Sequence, residues 1–227
     1  MSTSRFDCRA VLFDLDGVLA DSTALVDEVW RAWAHEKGLD GDTVMKVSHG
    51  RRAEEVVRSL APHLSAPDEV TRIEEREIAE ISRLAAIAGA DALLRSLPSG
   101  SWAVVTSGTT PLATGRLRAL GFPFPDVLIT ADDVAEGKPH PEGYLAAALR
   151  LGAEAADCIV IEDAPPGIEA ARTGGMTPIG VTTTYEPAAL AAADTIVASL
   201  EQIRVIRVQG DGRELPLISL TVEGSKS

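Results

Sequence analysis

The stretch "AVLFDLDGVLADS", residues 10–22, begins as an apolar strand and ends in carboxylates. Ala10 to Phe13 form an unbroken apolar run, as expected of a strand buried in a sheet. Asp14 and Asp16 follow two residues apart, with Asp21 close behind. Like charges this close repel, and the end of a hydrophobic strand solvates them poorly. In a strand, residues i and i+2 point to the same side, about 7 Å apart along the backbone. Asp14 and Asp16 can therefore lean over one small group, and Gly17 lets the chain turn away at once.

Working outward, short apolar runs alternate with helical patterns. "WAVVTS" (102–107), "DVLIT" (126–130), "DCIVIED" (157–163), "MTPIGV" (176–181) and "DTIVAS" (194–199) have strand length and turn signals at their ends. Between them lie helical stretches at 111–120, 141–152 and 167–175, the last two ending in glycine. This alternation implies an α/β fold: a Rossmann-like, doubly wound parallel sheet covered on both faces. Ligands of such sheets bind at the carboxyl ends of the strands.

One interval breaks the rhythm. Residues 18–90 carry no strand pattern, only helical ones at 24–38, 52–64 and 67–89. Leu25, Val29, Trp30 and Trp33 form a stripe at helical spacing, read as the core of an inserted helical unit. The Glu/Arg run from Glu74 to Glu80 reads as a solvated helix face. The expected organisation is an α/β core, 1–17 and 91–227, with an all-helical insert, 18–90. Residues 203–222 alternate around a Gly-Asp-Gly turn, the pattern of a β-hairpin, placed here as an addition to the sheet edge.

The formal net charge of -13 argues against a nucleic-acid or anionic-membrane partner. It leaves open an anionic small substrate, since a metal and a few basic groups can reverse the potential in one cleft. Cys8 and Cys158 lack metal-ligand spacing and read as reduced thiols near the core. With polar residues 1–9 and no apolar run of membrane-spanning length, the expectation is a soluble, cytoplasmic protein, a monomer or small homo-oligomer.

Further chemistry gathers at the strand ends. Thr106, Ser107 and Gly108 offer hydroxyls and N–H groups suited to phosphate oxygens. Lys138 precedes a Pro-rich turn, and Glu162-Asp163 provide hard oxygen ligands for Mg²⁺. Singly, these are turn residues, a surface lysine and a helix cap. Together, on successive strand ends, they form a constellation. "TTTYEP" (182–187) follows the next strand and is given no role.

The four segments around Asp14, Thr106, Lys138 and Glu162 resemble the four motifs of the haloacid-dehalogenase-like hydrolases. The likeness is strongest to the branch of glycerol-phosphate, 2-deoxyglucose-6-phosphate and sugar-phosphate phosphatases, through "SHGRR" (48–52), "WAVVTSGT" (102–109), "ITADDVAEGKPHPEGYL" (129–145) and "EDAPPGIEAA" (162–171). The resemblance implies a Mg²⁺-dependent phosphatase of a small phosphorylated sugar or polyol, with the helical insert as a mobile cap. It implies Asp14 as nucleophile, Asp16 as general acid and base, and Thr106, Ser107, Gly108 and Lys138 as phosphoryl-binding groups. Mg²⁺ would be held by Asp14, the Asp16 carbonyl and Asp163, with Glu162 near or through water. His49, Gly50 and Arg52 of the cap would reach the substrate, Arg51 facing solvent; Asp21 and Ser22 would line the hinge or cap a helix. A phosphosugar mutase of the same fold is the alternative. A haloacid dehalogenase fits less well, since it needs neither Asp16 nor the metal. A phospho-accepting signalling module also fits less well, since it lacks the insert.

Overall fold

The first apolar run divides its side chains between two cores. Val11 and Phe13 pack on one side with Trp102, Val104, Ile159 and Ile161. Ala10 and Leu12 pack on the other with Ala103, Val105, Cys158 and Val160. That split is the period-2 alternation of strands buried on both faces. The computed structural model describes residues 2–210 and 214–224.

The strands are β1 (Ser2–Cys8), β2 (Ala10–Phe13), β3 (Ala20–Asp21), β4 (Ala85–Ala86), β5 (Trp102–Val105), β6 (Val127–Ile129), β7 (Cys158–Glu162), β8 (Thr177–Val181), β9 (Thr195–Val197), β10 (Ile203–Gln209) and β11 (Leu217–Gly224). The helices are α1 (Thr23–Glu36), α2 (Gly41–Ser48), α3 (Ala53–Leu60), α4 (Ala66–Ala79), α5 (Ala90–Ser96), α6 (Thr110–Ala119), α7 (Glu142–Leu151) and α8 (Pro165–Thr173). A parallel sheet runs in the order β6-β5-β2-β7-β8-β9, so β2 lies centrally between β5 and β7. The helices α5 and α6 contribute Leu93, Leu94, Ala113 and Leu117 to one face. Tyr144, Ala147 and Ala148 of α7 and Ala170 and Ala171 of α8 cover the other. The α/β expectation and every strand read between residues 9 and 199 stand.

The helices α1 to α4 enclose a core of their own, built on Leu25, Val29, Trp30, Trp33, Val57 and Ile73. Trp30 and Trp33 meet edge to face at 5.5 Å between centroids, and the Trp33 indole donates to Glu69 at 2.9 Å. The helix expected over 67–89 stops at Ala79. Beyond it, Ala85 and Ala86 pair antiparallel with Asp21 and Ala20. This short ladder, absent from the sequence reading, ties the chain's exit from the sheet to its return. Its residues are too few and too small to leave a periodic signature.

The C-terminal segment departs from expectation in placement. β10 and β11 do form an antiparallel pair, with the tip at 211–213 lying outside the described residues. They do not extend the parallel sheet: β11 pairs along its length with β1, giving a separate sheet in the order β1-β11-β10. The polar N-terminal residues carry no strand pattern of their own. They form a strand because β11 supplies a ladder partner and because Phe6 and Cys8 face the core. Ile218, Leu220 and Val222 alternate inward into the same core as Val11 and Phe13. Both cysteines are buried, and burial pushes each thiol up to about 12.

Leu220 is therefore a core residue despite its place near the chain end. Leu220→Ala is expected to cost about 2–5 kcal/mol in denaturant unfolding. A loss below about 1 kcal/mol would show that the second sheet is peripheral to the fold.

Candidate active site

The carboxyl end of β2 carries the first chemical group. Asp14 is held in line by its N–H, which donates to the Ile161 carbonyl of β7 at 3.0 Å. The chain then reverses within a few residues: Gly17 adopts φ 75 and donates to the Ala20 carbonyl at 2.8 Å. A Cβ at Gly17 would lie 2.0 Å from Asp163 Oδ2, so this approach requires glycine on conformational and steric grounds. The Thr183 hydroxyl donates to the Gly17 carbonyl, and that of Thr184 bonds Asp163. The threonine run left without a role thus buttresses the turn from the end of β8.

Lys138 reaches into this end of the sheet. Its Nζ donates to Asp14 Oδ1 at 2.5 Å and to Glu162 Oε1 at 2.7 Å, with the Tyr144 ring 5.0 Å away. Glu162 is fully engaged: Oε1 also accepts from the Tyr144 hydroxyl at 3.0 Å, and Oε2 accepts from the N–H groups of Asp163 and Ala164 at 2.9 Å each. Gly167 makes room for it, since a Cβ there would sit 1.6 Å from Glu162 Oε1. Burial alone would lower the Lys138 ammonium, but Asp14 and Glu162 overcome it and hold it well above the usual lysine range. Lys138 is thus a fixed cation.

The charges around it do not balance. Asp14, Glu162 and Asp163 each offer an oxygen within 4.8 Å of the others, all three residues are buried, and Lys138 is the ammonium among them. From the protein's own charges, burial pushes Asp14 up to about 7, with Lys138 opposing, and pushes Asp163 well above the carboxylate range. Hard oxygen donors carrying uncompensated buried negative charge fit a divalent cation. Because both Glu162 oxygens already have partners, Asp14 and Asp163 are the carboxylates best placed to touch it.

Asp16 stands apart from that cluster, accepting from the Ser22 hydroxyl at 2.6 Å and from Arg116 Nη1 at 2.6 Å. Arg116, on α6, was missed by the sequence reading. It is nearly inaccessible, and its Nη2 pairs with Glu77 of α4 at 2.5 Å. The acidic run of α4 is accordingly not a solvated face throughout. Glu74 and Glu77 turn inward, where Thr109, the residue before α6, and Arg116 of α6 supply partners. Burial pushes Glu77 up to about 7, against the pull of Arg116, and raises Glu74 as well. A run that is charged at nearly every position hides which members point inward.

A cleft joins these groups: Asp14, Thr106, Ser107, Gly108 and Asp163 line it from the strand ends, His49, Gly50, Arg51, Glu74 and Glu77 line it from the helical layer, and Asp16 is joined to Glu77 through Arg116. Thr106 accepts from the Gly108 N–H at 3.1 Å, and the Ser107 hydroxyl donates to the Gly50 carbonyl at 3.0 Å, joining the helical layer to the sheet. His49 lies 2.9 Å from Asp27 and meets Tyr185 edge to face. The two arginines lie at neighbouring places, the more exposed Arg51 at this cleft and Arg52 in an adjoining pocket with Thr106, Ser107 and Lys138. Arg51 lines the cleft, whereas Arg52 donates to the Ala135 carbonyl at 2.8 Å, beside the loop that carries Lys138. Asp21 remains at the surface in β3.

The model of haloacid dehalogenase-like hydrolases matches residues 8–175, a span that includes Asp14, Asp16, Thr106, Lys138, Glu162 and Asp163. The chain belongs to this family. Among its relatives, hexitol phosphatase A of Escherichia coli K12 is 38% identical over 205 residues, covering 88% of this chain and 95% of that protein. The 2-deoxyglucose-6-phosphate phosphatase 1 of Saccharomyces cerevisiae is 34% identical, covering 92% of this chain and 95% of its own. A β-phosphoglucomutase structure from Clostridium difficile superposes with a TM-score of 0.75 at 25% identity, over 86% of this chain and 92% of that one. Enzymes of this family generally use a divalent metal, in keeping with the acidic cluster. Among the described residues no helix is long and apolar enough to cross a membrane.

Cation and proton compete for the same oxygens. Without a cation, an acid whose folded pKa is raised binds more protons than the unfolded chain, so stability falls as pH rises from about 4 to about 7 through Asp14. A divalent cation is therefore expected to raise the Tm of chelator-stripped protein more at about pH 8 than at about pH 5. Thermal melts of the wild type and Asp163→Asn check this. An equal rise at both pH values, or one that survives in the variant, would contradict the site.

Proposed function

We propose that the protein is a Mg²⁺-dependent phosphatase of a small phosphorylated sugar or polyol, acting through an aspartyl-phosphate on Asp14. One observation carries the reading. Asp14 shares its buried pocket with a fixed ammonium and a second metal-competent carboxylate, while Asp16 sits on the cleft wall with separate partners. The two carboxylates thus have different environments and different tasks. The sugar- and polyol-phosphate names of the relatives support the substrate class.

In the first step an Asp14 oxygen attacks phosphorus, the bond to the leaving oxygen breaks, and Asp16 gives that oxygen its proton. In the second, water attacks phosphorus, returns a proton to Asp16, and frees the Asp14 carboxylate and inorganic phosphate. Thr106 and Ser107 hydroxyls, the Gly108 N–H and Lys138 hold the phosphoryl oxygens while charge redistributes. When bound by Asp14, the Asp16 carbonyl and Asp163, Mg²⁺ supplies positive charge that offsets the repulsion between nucleophile and phosphate. Glu162 acts by holding Lys138.

Residues 18–90 act as a cap, with β3 and β4 at the two crossings and the Ser107–Gly50 hydrogen bond as a point of closure. His49, Gly50 and Arg51 face the substrate from this cap, and Arg52 fastens its edge to the Lys138 loop. A phosphosugar mutase would use the same groups, and the likeness to β-phosphoglucomutase favours keeping that reading in view.

Asp14→Asn is expected to abolish release of inorganic phosphate from hexose, hexitol and glycerol phosphates in the presence of Mg²⁺. Asp16→Asn should lower turnover by about 10²–10⁴-fold, the usual contribution of a general acid–base group. Isomerised product without net phosphate would favour the mutase. Wild-type rates in Asp14→Asn would refute the assignment.

A further inference from the structure

The side of the cleft opposite the phosphoryl pocket carries charges that the two-step chemistry does not use. Glu74 and Glu77 are spaced about one turn apart on α4, both line the cleft, and they are only 9% and 4% exposed. Glu74 accepts from the N–H and hydroxyl of Thr109. Arg116, 2% exposed, divides its two terminal nitrogens between Asp16 and Glu77. Its third nitrogen, Nε, is buried without a hydrogen-bond partner in a residue that lines the same cleft. At the rim, Arg51 lies 3.7 Å from Glu55, and His49 is tied to Asp27 at 2.9 Å. Arg51 and Arg116 each face a carboxylate, and Asp16, Glu55, Glu74 and Glu77 together outnumber the two arginines.

We infer that Glu74 and Glu77 select the leaving group, accepting one that bears hydroxyls and rejecting one that bears a second anion. This deepens the phosphatase reading and rests on it. Sugar and polyol hydroxyls are donors as well as acceptors. Their protons can meet the carboxylates of Glu74 and Glu77. A second phosphate or a carboxylate in the same place has only acceptors. It would lie against buried negative charge at low effective dielectric, where repulsion is weakly screened. The barrier acts against the wrong partner, beyond any attraction for the right one.

The same arrangement bears on phosphoryl return. A mutase that passes through a bisphosphate must accommodate a second phosphate on this side of the cleft. Here that position is acidic, so the aspartyl-phosphate is left to water.

The test uses matched substrates differing in one group: glycerol-1-phosphate against 3-phosphoglycerate, and glucose 6-phosphate against glucose 1,6-bisphosphate. Phosphate release is measured with Mg²⁺ at about pH 8, where Glu77, with its value of about 7, is ionised. Wild-type kcat/KM should favour the neutral member of each pair by about 100-fold or more. In Glu74→Gln, which retains the side chain's shape, the ratio should fall by about tenfold, mainly through a gain on the anionic member. A wild-type ratio near one, which needs no variant, overturns the inference while leaving the phosphatase standing. An unchanged ratio in folded Glu74→Gln does the same. Absence of phosphate release from every substrate, p-nitrophenyl phosphate included, overturns the phosphatase reading itself.

Discussion

The Lys138 ammonium lies 2.5 Å from Asp14 and 2.7 Å from Glu162, in a place water scarcely reaches. A charge buried this deeply is tolerable only when it is paired and hydrogen-bonded, and removing one partner of such a pair typically costs about 3–5 kcal/mol. The rest of the catalytic end follows from keeping that group in place. Glu162 is locked by two backbone N–H groups and Tyr144, Gly167 yields the space it occupies, and β2 and β7 must be neighbours for Asp14 to meet it. The parallel sheet brings residues 124 positions apart in sequence to one point.

That arrangement leaves a deficit of positive charge at the strand ends. The deficit fits a cation, which in the proposed function would join Lys138 in making room for a phosphoryl group in a chain of net charge -13. Asp16 escapes the cluster because the Gly17 turn sends the chain away and because Arg116 and Ser22 hold its carboxylate by hydrogen bonds. Arg116 also joins the two parts of the molecule, since its second partner, Glu77, belongs to the helical layer. The position of Asp16 is thereby physically linked to the packing of α4 on α6.

Much of this was legible in the sequence where function and local pattern coincide. Apolar runs ending in Asp14, Thr106 and Glu162 mark both the strands and the chemistry, because a buried strand has one polar exit. Lys138 was readable only through its motif, as nothing local says that a lysine after a glycine is buried. Other features depend on partners far along the chain. The strand Ser2–Cys8 exists because Leu217–Gly224 pairs with it, so its own polar sequence carries no strand signal. Glu74 and Glu77 cannot be told from Glu75 and Glu80 until Thr109 and Arg116 are brought opposite them. Arg51 and Arg52 are hard to tell apart in sequence for a similar reason: adjacent arginines differ only in which carbonyls and cavities the folded chain offers them.

Asp14 is the proposed acceptor of the phosphoryl group, and the most direct measurement locates that group. Wild-type enzyme with Mg²⁺ is mixed with substrate carrying ³²P in the transferred phosphate, quenched in acid within one turnover and digested with pepsin at low pH, where an acyl phosphate survives. The label is predicted on the peptide that contains Asp14. Turnover with no label on protein, or with label on a different residue, would contradict the account.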